Sequence, residues 1–233
     1  MRFVQQLFVW VVTVFAFLFT TLLAALIGVA FLFSEHWGHR LHRFWGCGIC
    51  VLFGIRVQVE GLANLPGGGS VLAPNHQSMF DMPILATLPT DFKWVSKEQL
   101  RSVPFLGWAM RSMGTYFVTR RNATQDAGTL KGAEQGLTDG ARIVIFPEGT
   151  RSRDGGLLPL KKGAFRLAEN AQVPLVPIAI SGSFSIATPR HLPTRWGHSV
   201  TVRIGAPLSP QKGESTEAFQ TRYLAELTRL LGF

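Results

Sequence analysis

Charged residues are scarce in this sequence: they make up 16% of its 233 positions, and Asp and Glu together number only 14. With 47% hydrophobic residues, the chain is too apolar for a disordered protein, and its composition favours a membrane protein. The 23 basic residues give a net charge of +9, which indicates an anionic partner, either nucleic acid or a phospholipid surface. The length suits one catalytic domain and is too short for two large ones.

Several motifs that would identify other classes of protein are missing. The sequence has no G-x-S-x-G segment, so it gives no support to the nucleophile of a serine hydrolase. The glycine-rich segment 66–70 lacks the Gly-Lys-Ser/Thr of a phosphate-binding loop. The only cysteines, Cys47 and Cys50, lack the strand–helix context of a redox motif and the further ligands of a zinc site. We therefore predict two buried thiols in a reducing compartment, and no metal site.

Residues 7–33 form an uncharged apolar run of 27 residues. As a helix, this run would be roughly 40 Å long, against about 30 Å for the hydrocarbon core of a bilayer. The apolar core of a signal peptide is shorter, about 7–15 residues, and a cleavage site of small residues follows it. The run therefore predicts a permanent membrane element and argues against a nucleic-acid binder, for which no module is present either.

The segment 35–43 mixes basic and aromatic side chains, as segments at the level of lipid headgroups do. The apolar stretch 44–55 that follows is too short to span a bilayer, so we expect a long helix and a short leg in one leaflet. The histidines at 36, 39 and 42 are interpreted as titratable residues at a wet interface. Basic residues after the long run favour a cytoplasmic catalytic domain, and we expect a bacterial inner (plasma) membrane.

Beyond residue 55, short β-rich segments alternate with helical ones. This alternation predicts an α/β domain over residues 56–233, with a mixed, mostly buried sheet flanked by helices, after membrane-anchoring helices in residues 1–55. Helical spacing predicts one helix before Gly140 and another before Gly232. The predicted strands are 56–60, 70–73, 93–96, 116–119, 142–146, 175–180 and 199–204.

His76 and Asp81 form the first candidate constellation, directly after the strand 70–73. A histidine can take a proton from a hydroxyl near neutral pH, and a carboxylate can fix its tautomer and direction. Five residues apart on one helix, the two side chains would point about 140° apart. They can meet only if His76 lies in the turn and Asp81 begins the helix. Taken alone, this spacing also fits an ordinary hydrogen-bonded loop histidine.

The second constellation is Pro147-Glu148-Gly149-Thr150-Arg151, at the end of the strand 142–146. Pro147 ends the strand pairing, and Gly149 permits an unusual backbone conformation. The polar side chains are thereby left exposed at the end of a strand. A solvated turn uses the same residue types, so composition alone does not decide between the two.

The order of the motifs carries more information than either motif alone. Gly-Thr-Tyr-Phe-Val-Thr-Arg lies between them at 114–120, Val-Pro-Leu-Val-Pro-Ile follows at 173–178, and the segment 97–108 precedes both. Over roughly residues 56 to 210 this set resembles the lysophosphatidic acid (1-acyl-sn-glycerol-3-phosphate) acyltransferase family, the glycerolipid acyltransferases marked by His-x4-Asp. One departure is visible: Thr119 precedes Arg120, where the family often has Asp.

The resemblance implies a site and a reaction. His76 would deprotonate the sn-2 hydroxyl of lysophosphatidic acid as it attacks the thioester of acyl-CoA or acyl carrier protein, and Asp81 would orient His76. The product would be phosphatidic acid, and no cofactor is implied. Glu148 would accept from a glycerol hydroxyl or hold Arg151 in place. The residues expected to bind the acceptor's phosphate and glycerol are Lys97, Arg120, Glu148, Gly149, Thr150 and Arg151.

Two alternatives stay open. The same chemistry on another acceptor, such as a lyso-ornithine lipid or another lysophospholipid, is compatible with the motifs. A non-catalytic lipid-binding protein at the membrane surface would also explain the anchor and the charge, although the intact set of polar residues argues against it. A nucleophilic role for Ser78 is ranked below direct transfer. Met79, Phe80 and Met82 are expected in the core or along an acyl tunnel.

Overall fold

The computed structural model describes residues 2–119, 123–187 and 196–232, and all statements on its elements concern these ranges. The strands are β1 (Ile55–Glu60), β2 (Ser70–Pro74), β3 (Lys93–Lys97), β4 (Tyr116–Val118), β5 (Arg142–Val144), β6 (Leu175–Ser181) and β7 (His198–Ile204). The α-helices are α1 (Arg2–Phe33), α2 (Glu35–Leu52), α3 (Asp81–Ala86), α4 (Leu106–Ser112), α5 (Ala123–Thr138), α6 (Gly163–Ala171) and α7 (Thr216–Leu231). Short 3-10 helices cover Leu62–Asn64, Glu98–Ser102 and Ser183–Ser185.

The strands form one mixed sheet in the order β1-β7-β6-β2-β5-β3-β4. The run from β6 to β4 is parallel, whereas β7 is antiparallel to β6 and parallel to β1. Every residue of β2 is buried, as expected for a central strand with helices on both faces. The predicted α/β fold is therefore confirmed. The five strands from β6 to β4 run in one direction and end at one edge of the sheet, and sites of open α/β sheets gather at such edges.

All seven predicted strands are present, with ends that differ by one or two residues. The predicted strand 142–146 stops earlier, at Val144, although the Ile145 N–H still donates to Leu72 O at 3.0 Å. Both predicted helices exist, and α7 ends at Gly232 in the left-handed conformation (φ 84°). The sequence also predicts a capping box over residues 122–125 at the start of α5, and its first residue lies outside the described ranges.

Two apolar cores lie on opposite faces of the sheet. One contains residues from α1 to α4, and the other contains residues from α5, α6 and α7. Leu23 and Ile27 of α1 share the first core with Leu85 of α3 and Ile178 of β6. The N-terminal helices therefore pack into the α/β unit itself, and the domain division at residue 55 stays a prediction.

The helices α1 and α2 form an antiparallel pair joined at Ser34. Near the turn the two helices are in close contact, because a Cβ added to Gly38 would lie only 2.3 Å from the ring of Phe31. Farther along, the Trp45 indole donates to Thr20 Oγ1 at 3.1 Å. The predicted short apolar leg 44–55 is largely the second half of the continuous helix α2.

The helix α1 is long and apolar enough to cross a membrane over Val4–Phe33, with a mean hydropathy of 2.5. Only 28% of its most apolar window is buried, so most of that surface faces outward. Large exposed side chains on it include Phe8, Trp10, Phe15 and Phe17. The helix is therefore a candidate membrane segment that also packs on the α/β domain.

Two predictions on the side chains of α2 were wrong. His42 is buried among aromatic rings, stacking on Trp45 and meeting Trp94 edge-on, and does not lie at a wet interface. Cys47 is exposed, whereas Cys50 is buried as expected. Both differences arise because α1 and α3, with Trp94 of β3, pack on one side of α2 and leave the other side open. The sequence of α2 alone does not reveal this.

Candidate active site

His76 and Asp81 meet in the geometry that their spacing requires. His76 lies in the turn after β2, and Asp81 is the first residue of α3. The distance from His76 Nδ1 to Asp81 Oδ2 is 2.7 Å. With Nδ1 donating to the carboxylate, Nε2 is the ring nitrogen left to accept a proton.

Asp81 is completely buried and held by the turn that it closes. Its Oδ2 also accepts from the backbone N–H groups of Gln77 and Ser78, both at 2.8 Å. Its Oδ1 has no hydrogen-bond partner among the described residues. Three donors converge on one oxygen, so the carboxylate, and with it the plane of the His76 ring, has a fixed orientation.

The face of the His76 ring is held as well. Phe146 stacks on it with ring centroids 3.9 Å apart and an interplanar angle of 21°. Trp94 lies behind Phe146 at 6.4 Å, nearly parallel to it. The His76 side chain remains 16% exposed, so a substrate hydroxyl can reach an imidazole that is already oriented.

The loop after β5 binds the backbone of His76. Glu148 is buried, and its Oε1 accepts from the His76 N–H at 2.7 Å while its Oε2 accepts from the Leu158 N–H at 2.9 Å. The Ser152 N–H donates to the His76 carbonyl at 2.8 Å. Glu148 therefore holds the histidine loop, a contact that the sequence did not indicate. Its expected role towards the acceptor glycerol or Arg151 stays a prediction.

Burial raises the pKa of the Glu148 carboxyl above its usual value. The two backbone N–H groups oppose this shift because they favour the ionised form, and the charge of Asp81 adds to it. Burial and the charge of Asp81 thus act together to raise the pKa of this carboxyl, and the two backbone donors act against them.

Asn75 joins the turn to the neighbouring strand. Its side chain donates to Ile180 O at 3.1 Å and accepts from the Ile180 N–H at 2.7 Å, which extends the pairing of β2 with β6. Ser78 is also buried, and its hydroxyl donates to Ala187 O at 2.8 Å. Both side chains hold the backbone of the turn, and the hydroxyl of Ser78 is engaged in a structural bond.

The remaining predicted site residues follow the ends of adjacent parallel strands. Lys97 ends β3 and is exposed, while Thr150 is exposed and Arg151 half-buried in the loop after β5. Gly149 has a φ of 69°, the left-handed conformation that favours glycine. Because β2, β5 and β3 are neighbours, these side chains share one edge of the sheet with His76.

The segment after β4 is described only in part, since Arg120 lies outside the described residues. Thr119 replaces the aspartate that the family often has. Its N–H and its hydroxyl donate to Asp126 Oδ1 at 2.7 and 2.9 Å. A carboxylate in the first turn of α5 is thus present beside this position, although the chain carries Thr at 119.

Lys161 is a neighbour of the site that sequence reasoning missed. Its side chain passes directly over Gly149: a Cβ added to that glycine would lie only 3.0 Å from Lys161 Cε. Its backbone N–H donates to Pro147 O at 2.8 Å. Lys162 instead pairs with Glu217 of α7. The sequence predicts both lysines only as surface or headgroup contacts, and nothing in it distinguishes one from the other.

A small apolar cavity of about 40 Å³ lies between α1, α2, α4 and β3. Met82 lines it and packs against the first core, and Phe80 is buried against Phe53. Met79 is 49% exposed, contrary to expectation. Trp94 reaches both the cavity and the ring stack on His76, so the cavity lies behind the candidate base.

A family model described as Acyltransferase matches residues 56–181. The chain belongs to the Acyltransferase family. The resemblance seen in the sequence motifs is thereby confirmed. No group of three or more His, Cys, Asp or Glu in the described ranges is arranged to hold a metal ion.

Named relatives lie in the same family. The chain is 37% identical over 150 residues to "1-acyl-sn-glycerol-3-phosphate acyltransferase BAT2, chloroplastic" of Brassica napus, covering 64% of this chain and 43% of the relative. It is 36% identical over 165 residues to the 1-acyl-sn-glycerol-3-phosphate acyltransferase of Saccharomyces cerevisiae, covering 69% and 54%. The chain thus spans about half the length of the curated relatives that it matches.

A solved structure shares the whole fold. The 1-acyl-sn-glycerophosphate (LPA) acyltransferase PlsC of Thermotoga maritima superposes with a TM-score of 0.82 at 24% identity, over 98% of this chain and 95% of that one. The overlap includes the N-terminal helices as well as the sheet, so the two chains have the same architecture from end to end.

Proposed function

We propose that this protein transfers a fatty-acyl chain from acyl-CoA or acyl carrier protein to the sn-2 hydroxyl of lysophosphatidic acid, giving phosphatidic acid. The observation that carries the proposal is the hydrogen-bonded His76–Asp81 pair, in which the carboxylate is buried and the imidazole is partly exposed. The names of the relatives support the acceptor.

In this mechanism His76 Nε2 takes the proton of the acceptor hydroxyl while the oxygen attacks the thioester carbonyl. The attack forms the new C–O bond and gives a tetrahedral intermediate. When the carbonyl re-forms, the C–S bond breaks, and the leaving thiolate takes the proton from the His76 imidazolium and departs as the thiol, which leaves the ester and a neutral His76. Asp81 keeps Nδ1 protonated and stabilises the imidazolium charge. General-base catalysis of this kind contributes typically about 10²–10⁴-fold.

Cations at the same edge of the sheet support a phosphate-bearing acceptor. Arg151 can bind a phosphate through two parallel N–H bonds, and Lys97 can add a point charge. Lys161 crosses the loop at Gly149 and brings another ammonium group to it. Arg120 keeps its proposed role in phosphate binding on the strength of the sequence motif alone.

The donor's acyl chain is proposed to lie towards the apolar cavity behind His76. The ring stack of Phe146 and Trp94 leads from the imidazole to that cavity. Because α1 forms one wall and the cavity measures only about 40 Å³, it would receive only the end of the acyl chain, between the α/β domain and the membrane helix.

The membrane side of the proposal rests on α1 and on charge. The exposed apolar surface of α1 and the net charge of +9 suit a bilayer with anionic headgroups. We propose that the protein works on the cytoplasmic side of a bacterial inner membrane, where basic residues after the apolar run would remain.

The test is an acyl-transfer assay on the purified protein in detergent, with acyl-CoA and acyl carrier protein as donors. A panel of lyso-lipids serves as acceptors, and His76→Ala is the blank. Phosphatidic acid as the dominant His76-dependent product would support the proposal. Preference for another lyso-lipid would reassign the acceptor, and lipid binding without transfer by any donor would favour the non-catalytic alternative.

A further inference from the structure

Phe105 stands at the apex of a rare backbone turn. It has a φ of 59° and a ψ of −53°, and the Leu106 N–H donates to Pro104 O at 2.6 Å. These values describe the γ-turn with positive φ, which is uncommon and strained, above all for a bulky aromatic residue. Such a conformation persists only where the surrounding structure enforces it.

Both flanks of the turn are held in place. The Gly107 N–H donates to Val103 O at 2.7 Å. The guanidinium of Arg111 donates to Arg101 O, also at 2.7 Å. A Cβ on Gly107 would lie 2.2 Å from Arg101 O, so only glycine fits there. The fold therefore maintains the strained turn through two hydrogen bonds and the close approach of Gly107 to the Arg101 carbonyl.

The turn does not bury its aromatic ring. Phe105 is 51% exposed and Val103 is 39% exposed. The strained backbone is unfavourable in itself, and the exposed apolar ring is unfavourable in water. The ring would be favourably placed in an apolar environment such as the interior of a bilayer. The turn thus presents a fixed apolar tip, formed by Val103, Pro104 and Phe105, instead of a mobile loop.

The tip lies on the same face of the sheet as α1. The helix α4, which the tip precedes, packs on α1 so closely that a Cβ on Gly28 would lie 2.9 Å from the Trp108 ring. Along this part of α1, Val29 and Leu32 are exposed. The tip therefore begins a helix that packs directly on the candidate membrane helix.

Cationic side chains flank the tip. Lys97 is exposed, and the side chain of Arg101 is 54% exposed, with its guanidinium 3.3 Å from Glu98. Aromatic side chains beside Lys or Arg are typical of segments at the level of anionic headgroups. Leu106, directly after the tip, lines the apolar cavity behind His76.

We propose that the tip Val103–Phe105 inserts into an anionic lipid surface beside α1, with Arg101 at the level of the headgroups. Insertion would place the wall of the apolar cavity against the lipid from which the acceptor comes. The inference rests on the proposed membrane function, and its partner is the bilayer itself.

Site-specific fluorescence tests the insertion without requiring activity. The full chain carries Cys47→Ser, so that buried Cys50 is the one remaining native thiol, and Phe105→Cys is labelled with an environment-sensitive dye. The protein is reconstituted into phosphatidylcholine vesicles with or without phosphatidylglycerol. Leu224→Cys is the matched control, since it is 39% exposed on α7, on the opposite face of the sheet.

The label at 105 should show blue-shifted emission and quenching by lipid-borne spin labels, more strongly with phosphatidylglycerol, and the label at 224 should stay water-like. If both labels stay water-like and are quenched equally by aqueous iodide, the tip does not insert and the proposal is overturned. This readout is independent of whether lysophosphatidic acid is the acceptor.

A second variant covers the case in which labelling disturbs the turn. Phe105→Asn keeps a residue that tolerates positive φ and removes the apolar ring. We expect transfer to vesicle-embedded lysophosphatidic acid to fall several-fold, and transfer to a water-soluble short-chain acceptor to be unchanged. Equal rates for variant and wild type on both acceptors would contradict insertion, while a wild type inactive on both would count against the proposed function instead.

Discussion

The backbone N–H of His76 donates to Oε1 of the buried Glu148 at 2.7 Å, across 72 residues of sequence. The loop after β5 also holds the carbonyl of His76, through the Ser152 N–H. The proposed base and the proposed acceptor loop therefore form one hydrogen-bonded unit. Substitutions in that loop are expected to act on the position of the histidine as well as on substrate binding.

Asp81→Asn tests the orientation of His76. Asn keeps the size of the side chain but replaces the carboxylate with an uncharged amide. In the wild type, Oδ2 of that carboxylate accepts from the imidazole and from two backbone N–H groups. We expect kcat to fall by about 10²–10⁴-fold with little change in the acceptor KM. In a His76→Ala background the same substitution should cost nothing further, because the pair acts as a unit. Additive losses would show that the two residues act separately.

Arg151→Ala tests acceptor binding. Loss of a charge-assisted bond to the phosphate should raise the acceptor KM by about 10- to 100-fold, while the donor KM stays the same. Arg153→Ala is the matched control, since Arg153 is exposed on the same loop. An unchanged acceptor KM for Arg151→Ala, or equal effects of both variants, would remove Arg151 from the phosphate site.

Lys161→Ala and Lys162→Ala compare two adjacent lysines. Only Lys161 crosses Gly149 of the acceptor loop, whereas Lys162 pairs with Glu217. We expect Lys161→Ala to raise the KM for lysophosphatidic acid about fivefold, as loss of one solvent-exposed charge interaction would. Lys161→Arg should restore it, and Lys162→Ala should leave it unchanged. If the two alanine variants behave alike, the position of the Lys161 side chain has no role in binding.

The parts of this fold that follow from local sequence were predictable. The strands show as β-branched and apolar runs because the parallel sheet buries both faces, and β2 is buried throughout. The turn at His76 follows from the spacing to Asp81, since only a turn followed by a helix start lets the pair meet. The order of the motifs along the chain was enough to indicate the acyltransferase family.

Contacts between distant segments were not predictable in the same way. The role of Glu148 depends on an N–H 72 residues away, and the difference between Lys161 and Lys162 depends on which neighbour each side chain reaches. His42 is buried because β3 and α1 cover it, although its own helix is rich in basic residues. In each case the tertiary neighbour, absent from the local sequence, decides the environment.

Glu148→Gln tests the buried carboxylate through the pH dependence of stability. Burial raises the pKa of Glu148, so the folded chain binds this proton more tightly than the unfolded chain does. The stabilisation by this group is therefore complete below the unfolded pKa and is lost as the pH rises through the folded pKa. Because Gln does not titrate, the free energy of unfolding of the wild type should fall relative to that of the variant between acid and neutral pH.

Unfolding of both proteins in the same detergent, from about pH 4 to pH 8, checks this expectation. At neutral pH the variant removes a buried charge, but its amide turns a donor towards one of the N–H groups of His76 and Leu158, at a cost of about 1–3 kcal/mol. The slope of the difference against pH is therefore the diagnostic quantity. Glu217→Gln should give a slope of the opposite sign, because the hydrogen bond from Lys162 lowers the pKa of Glu217. A flat difference for Glu148→Gln would mean that folding leaves the titration of this carboxyl unchanged.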